Sequence, residues 1–328
     1  MTPLEIYLNS RMGKPVLRRI AWEHRSRGFP APLGDFIRHK LWKWPYRHMR
    51  SYPWSVGLEP HRSGSWTISL GANTVTTTVP LSEWIGPIDR PVTIVAGGPS
   101  ARNHPVGELA SGKRLIIAVN GVPAFLAEKG IRPDAWIVSD PRLATQIETN
   151  FPHAAGTPLA VPANVAASIA IRSPGELARR PLCLIERVNQ WHGVRSLEDK
   201  PLLELNERSG SPFLFPAKGV VKSMVGWSRR PELGFFSGCT VVFAALQIAI
   251  GLGARDIEIV GMDLSDQGHA YSEGKIALAS SLGMNYEERI LPSFELMHDA
   301  LHETGVEVRN LSPVCPLPQR LFAASREQ

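Results

Sequence analysis

Seven short, nearly all-apolar runs set the fold class of this chain. From residue 91 onward "VTIVAGG", "LIIAVNG", "DAWIVSD", "TPLAVPA", "PLCLIER", "DIEIVGMD" and "VEVRNLS" follow one another with helical stretches between them. A strand that is apolar on both faces has no side to offer to water. It belongs in a sheet covered by helices above and below, and the helical crossovers make that sheet parallel. The pattern predicts an α/β fold with a doubly wound, mostly parallel, Rossmann-like sheet. At 328 residues and 43% hydrophobic, the chain has the material to bury such a core. Its longest apolar run, "CTVVFAALQIAIGLGA", is short for a membrane span and carries two late glycines, which predicts a buried helix.

Ahead of the sheet, "SWTISLGANTVTTTVP" alternates apolar and polar residues on either side of Gly71 and Asn73, which predicts a β-hairpin. Within it, residues 187–235 are rich in Gly, Pro and charge and read as an insertion, a mobile lid. The organisation expected is a basic aromatic arm over 1–54, a hairpin and linker over 55–89, and the main domain over 90–328.

The arm is where the charge lies. Residues 1–50 hold eleven Lys and Arg against three Asp and Glu, a surplus of eight, while the whole chain is only +6, so everything after residue 50 sums to −2. Trp42, Trp44, Tyr46, Tyr52 and Trp54 alternate with cations there. Aromatic rings at headgroup depth beside cations on anionic phosphates suit a membrane surface, and the same mixture packed on the main domain is the plainer alternative. No nucleic-acid motif accompanies it. Three widely spaced cysteines, Cys183, Cys239 and Cys315, form neither a disulfide framework nor a zinc ribbon and fit a reducing, cytoplasmic interior. His298 and His302 have the spacing of a metal pair but share a polar helix face with Glu295 and Asp299, so no metal is predicted.

In an open parallel sheet, ligands sit beyond the carboxyl ends of the strands. Four runs end there in residues that carry chemistry: Gly97, Gly98 and Ser100; Asn120; Asp140; and Asp263. The two glycines let the backbone turn tightly and approach a ligand, and Ser100 or the amides after it can meet an anion. "GGPSARNHP" lacks the Gly-Lys-Ser/Thr of a P-loop, and the next strand ends in neutral Asn120 where a dinucleotide site needs an acid, which excludes a nicotinamide enzyme. Asn120 and Asp140 suit a base edge or sugar hydroxyls. Ser237 or Thr240 can cap the buried helix and Gly251 or Gly253 can end it.

The spacing of "IVAGGPS", "AVNGV", "VSDP", "FSGCTVVFAALQIAIGLGARDIEIVGMDL" and "VEVRNLSP" resembles the bacterial sialyltransferases of glycosyltransferase family 42. It is also similar to the motility-associated factor and lipopolysaccharide-core Kdo transferase groups. The resemblance spans about residues 90–315 and implies a variant GT-A fold without a metal or other cofactor. The activity implied is transfer of an ulosonic acid, Kdo or a sialic-acid-like sugar, from its CMP form to a lipid-linked lipopolysaccharide or capsule acceptor on the inner membrane. By the same resemblance Gly97, Gly98 and Ser100 meet the nucleotide phosphate, Asn120 and Asp140 face the donor, and Ser237 with Gly238 lies near the cytidine. Asp263 ends the family's "G-x-D" strand and Tyr271 matches a tyrosine that hydrogen-bonds the donor phosphate. The family's catalytic histidine falls close to Glu288 in this chain, so the base is Glu288 or a substitute, of which His269 in "QGHA" leads. Arg208, Lys218 and Lys222 of the lid are candidate cations for the phosphate. Two other readings compete: an ATP-dependent pterin diphosphokinase, and a nucleotide-binding scaffold that has lost its base. The oligomeric state is left open.

Overall fold

A computed structural model of the chain describes residues 47–53, 55–140, 147–193, 196–198, 202, 212–216, 224–265, 268–270 and 282–324. Seven parallel strands form the main sheet: β4 (Val92–Val95), β5 (Leu115–Val119), β6 (Ala135–Ile137), β7 (Leu159–Val161), β8 (Leu182–Leu184), β11 (Asp256–Val260) and β12 (Glu307–Asn310), in the order β12-β11-β4-β5-β6-β7-β8. Each is one of the seven apolar runs. The chain lays down β4 to β8 in one direction, then returns to place β11 on the other side of β4. That reversal puts the topological switch point between β4 and β11.

Side chains along these strands alternate between two cores. Leu115, Ile117 and Val119 of β5 face one layer, Ile116 and Ala118 the other. The first layer holds helices α3 (Val241–Gly251) and α4 (Leu291–Leu301), through Phe243, Leu246, Phe294 and Met297. The second holds α1 (Val122–Glu128) and α2 (Ala163–Arg172), through Phe125, Leu126, Val165 and Ile169. The fold is therefore the covered α/β sheet that the pattern predicts. Helix α3 is buried from Val242 to Ala249, as its composition, apolar on every face but for Gln247, requires. Gly253, at φ +108°, takes the left-handed turn beyond its end, and Gly251 lies where a Cβ would meet Pro231 at 2.4 Å.

The hairpin forms, as β2 (Trp66–Leu70) and β3 (Asn73–Thr77) about Gly71 at φ +60°, with Asn73 inside the second strand rather than in the turn. A third strand, β1 (Val56–Pro60), pairs with β2. Val56, Leu58, Trp66 and Ile68 pack this small sheet into the second layer with α2. The described end of the arm follows it: Met49 and Tyr52 are buried in the same core, and the Tyr52 ring packs at a tilt against His192, 4.3 Å between centroids. Tyr52 is thus a packing ring, while Trp42, Trp44, Tyr46 and Trp54 lie outside the described residues.

Where it is described, the segment 187–235 is packed against the domain. Val188, Phe213, Trp227 and Phe235 are buried in the first core, and β9 (Phe213–Leu214) pairs with β10 (Trp227–Ser228). Its large rings anchor it: Phe213 lies edge-on to Phe236, and Trp227 edge-on to Phe243.

Two buried polar side chains hold the carboxyl end of the sheet. Gln247 of α3 uses its whole hydrogen-bonding capacity: Oε1 accepts from Ser228 N (3.0 Å) and Phe236 N (3.1 Å), and Nε2 donates to Phe236 O (2.8 Å) and Phe243 O (2.9 Å). It fixes Phe236, and so the entry to "SGCT". Glu186, after β8, is 4% exposed and accepts from Ala163 N, the first amide of α2, at 3.2 Å. Burial pushes its carboxyl up to about 8, against partial relief from that amide and from Arg187.

Replacing Gln247 with Leu strands two backbone amides and a carbonyl in the core. We expect Gln247→Leu to lower stability by about 3 kcal/mol or more in urea unfolding; a loss below about 1 kcal/mol would overturn this role. For Glu186, the unfolded carboxyl releases its proton near 4.5 while the folded one keeps it up to about 8. Its contribution is complete below pH 4.5, falls as pH rises through that window, and is constant above it. Arg187, Arg47, His48 and Tyr52 share its surroundings in both proteins compared. Urea midpoints measured from pH 4.5 to 9 should therefore decline less steeply for Glu186→Gln than for the parent chain, and parallel curves would refute the burial of a protonated carboxyl.

Candidate active site

The loops after β4 and β11 meet at the switch point and are bonded to each other. Ala96 N donates to Val260 O at 2.7 Å and Gly98 N to Gly261 O at 2.8 Å. The Asp263 carboxylate, 3% exposed, accepts from Ser100 N at 2.8 Å and from Ser100 Oγ in a shorter bond. Only glycines permit this approach. A Cβ on Gly98 would lie 2.5 Å from Gly261 O and 2.6 Å from Asp263 Cγ, and one on Gly261, at φ +75°, would lie 2.5 Å from Ala96 O. The sequence points to Gly98 and Ser100 as anion donors; in the structure the anion on Ser100 is the chain's own Asp263.

His269 joins the same turn. Its Nδ1 donates to Gly97 O at 3.3 Å, and the next residue, Ala270, donates its amide to that carbonyl at 2.7 Å. Arg102 reaches the Ala270 carbonyl from the other side. With Nδ1 bearing the proton, Nε2 carries the basic lone pair of an exposed ring. Tyr271, two residues on, lies outside the described residues, as do Arg208, Lys218 and Lys222.

Asn120 closes β5 in a left-handed conformation, φ 52°, with its amide on Ile137 O and its carbonyl accepting from Trp136 Nε1 at 2.7 Å. Its side-chain Oδ1 is buried and has no hydrogen-bond partner among the described residues. A buried acceptor without a donor costs free energy unless something else satisfies it. Asp140 follows β6, half-buried. Left-handed non-glycine residues recur at this edge: Cys239 at φ 56° and Leu264 at φ 50° join Asn120.

The turn before α3 is Ser237-Gly238-Cys239-Thr240. Gly238, at φ 47°, sits where a Cβ would meet the Phe243 ring at 2.6 Å. Thr240 takes the N-cap position without a side-chain cap bond, and its amide donates to Ser237 O at 3.0 Å. Arg289 Nη1 lies 3.8 Å from Cys239 Sγ, so a half-buried guanidinium stands beside the uncapped start of the helix. The sequence reading passed over Arg289 because the expected base drew attention to its neighbour Glu288, which is exposed. The signal is structural: Tyr286–Ile290 is a π-helical turn, which rotates Arg289 relative to the helix that follows. Cys315, near Asp263, has its thiol pushed up chiefly by burial.

The described residues therefore gather Gly97, Gly98, Ser100, Asp263 and His269 in one bonded turn. Asn120 and Asp140 stand at adjoining strand ends, and Ser237 and Gly238 before α3.

No protein-family model matches the chain. Among solved structures, the sialyltransferase CstII from Campylobacter jejuni, in complex with CMP-3FNeuAc, aligns at 11% identity and TM-score 0.37 over 72% of this chain and 89% of that one. A MAf glycosyltransferase from Magnetospirillum magneticum AMB-1 aligns at 13% identity and TM-score 0.39, over 72% of this chain and 36% of that one. In sequence, the chain is 26% identical over 226 residues, 67% of its length and 77% of the relative's, to an Escherichia coli (strain K12) protein described as "Probable 3-deoxy-manno-octulosonic acid transferase". The chain is thus similar, over two thirds of its length, to a protein of the transferase kind its motifs resemble.

Proposed function

We propose that the chain is a glycosyltransferase that moves an ulosonic acid from its CMP form to a hydroxyl of a glycan acceptor. The sequence similarity to the 3-deoxy-manno-octulosonic acid transferase carries this reading, and the polar strand ends beside the switch point support it. In this reading the unpartnered Asn120 Oδ1 and the Asp140 carboxylate take the donor's hydroxyls and base edge. The uncapped start of α3 and the Arg289 guanidinium take the phosphate. Asp263 acts as a positioning residue, because its oxygens are spent on Ser100 and hold the glycine turn beneath the donor.

The transfer is a displacement at the anomeric carbon. The acceptor oxygen bonds to that carbon as the bond from carbon to phosphate oxygen breaks, CMP leaves with the electron pair, and the acceptor proton passes to His269 Nε2. Charge builds on the departing phosphate, and donors already fixed around it lower that barrier without reorganisation. The eight surplus cations of residues 1–50 support an anionic membrane surface as the place where a lipid-linked acceptor is met, on the cytoplasmic side.

Calorimetric titration with CMP and with ATP, each in EDTA and then in magnesium, tests this reading. CMP binding in EDTA without ATP binding is expected; magnesium-dependent ATP binding would replace it with diphosphate transfer, and binding of neither with a scaffold. His269→Ala should then lower CMP release from the CMP-activated sugar about a hundredfold while leaving CMP affinity intact, and unchanged turnover would remove the imidazole from the mechanism. Arg289→Gln should weaken CMP about tenfold but leave cytidine, which lacks the phosphate, unaffected. Equal losses for both ligands would mean that Arg289 only supports the turn.

A further inference from the structure

A second polar cavity opens on the same edge of the sheet, beyond β6, β7 and β8. Its volume is about 320 Å³. Ser139 reaches it from the end of β6, Asn164 from the start of α2, Glu186 and Arg187 from the end of β8, and Arg47 and Tyr52 from the docked end of the arm. Strand spacing puts β7, at its middle, about 14 Å from β4, so this is a different place from the glycine turn. Ser139 is chained to Asp140, so the near rim of the cavity adjoins the proposed donor crevice.

The lining selects its occupant by charge. Arg47 and Arg187 make no ion pair within 4.0 Å among the described residues. Among the described lining residues the one carboxyl, Glu186, is spent on the first amide of α2 and is largely protonated at neutral pH. Helix α2 starts at the cavity, where Glu186 and Asn164 accept from the amides of Ala163 and Val165, and the ten-residue helix adds the positive end of its dipole. The remaining polar wall, Ser139, Asn164 and Gln190, offers hydroxyl and amide groups of the kind that bind sugar hydroxyls. Two cations among neutral hydrogen-bonding groups, in a space the size of a sugar unit, favour an oxyanion carried on a polyhydroxylated ring over a lipid tail.

We infer that this cavity is the acceptor subsite and holds a sugar unit bearing a carboxylate or a phosphate; the acceptor role rests on the transferase reading above. Arg187 takes the oxyanion from inside the wall and Arg47 from the rim. The described end of the arm is then part of the site rather than only a tether, since Arg47 comes from the turn that Met49 and Tyr52 anchor.

The test is titration of the full chain, saturated with CMP, with three probes: free 3-deoxy-manno-octulosonic acid, glucose 6-phosphate and glucose. Binding of one or both anionic sugars tighter than ~10 mM, with glucose weaker, is expected, and which one binds tells carboxylate from phosphate. Arg187→Gln should weaken that binding at least about tenfold with CMP affinity unchanged. Arg47→Gln, at an exposed position, should weaken it in the same direction and serves if the first variant melts early. Equal binding of glucose, no anionic sugar bound, displacement of the sugar by CMP, or unchanged affinity in both variants would each overturn the subsite. Arg187-dependent sugar binding in a chain that binds no CMP would overturn the acceptor role and the transferase reading, while leaving a sugar site.

Discussion

The carboxylate of Asp263 on the amide and hydroxyl of Ser100 joins two parts of the chain 163 residues apart, and the site is organised around that contact. β4 and β11 lie side by side because the chain reverses there, and their loops would diverge as two separate turns without a bond between them. Two glycines make the contact possible: any side chain at Gly98 or Gly261 would collide with the backbone of the other loop. The loop after β11 then carries His269 back onto Gly97. A buried carboxylate bonded to fixed donors keeps its geometry better than an exposed one, so what it positions is held before any substrate arrives.

The opposite edge of the sheet is built for another purpose. Arg309, 1% exposed, lies among Asp256, Glu258 and Glu307, and Arg114 ties the first two of these acids to the Val92 carbonyl at 2.8 Å. These ion pairs and that hydrogen bond cross-link β12, β11, β4 and β5 where the strands begin. At the carboxyl edge the pattern inverts: Asn120 Oδ1 is left unpartnered, three non-glycine residues are left-handed, and α3 starts uncapped. Polar groups pair with each other where the protein needs rigidity and are kept unpaired where it meets a ligand. Gln247 links the two regimes, since a fully satisfied amide in the core fixes the backbone just ahead of the open turn.

Five of the seven sheet strands were legible as almost wholly apolar runs, which report burial on two faces whatever their neighbours are, while β11 and β12 carry charges between their apolar residues. The buried helix after Thr240 was legible for the same reason. Strand order was not written in any local pattern, and β1, with its polar Glu59 and terminal Pro60, gave no alternation to read. Of the site, the positions of Gly98, Ser100, Asn120 and Asp263 at strand ends were legible, but not that Ser100 and Asp263 bind each other. That contact depends on β11 lying beside β4, which is a property of the topology. Arg289 and Glu186 escaped for a related reason: one is oriented by a π-helical turn, the other becomes a protonated cavity wall only once α2 is laid across it.

Charge balance ties the two ends of the carboxyl edge together. A CMP-activated ulosonic acid is anionic at its phosphate and its carboxylate, and an anionic acceptor brought beside it would be repelled unless cations separate the two. The described residues supply that separation with protein groups at intervals along one edge: the start of α3 with Arg289 near the switch point, and the start of α2 with Arg187 and Arg47 three strands away. Ionised Glu186 would place a negative charge in the wall of the proposed acceptor cavity, and its burial keeps a proton there until about pH 8. Desolvation of one carboxyl, usually a cost to be minimised, would in the proposed reading keep the wall of the acceptor cavity neutral beside an anionic sugar.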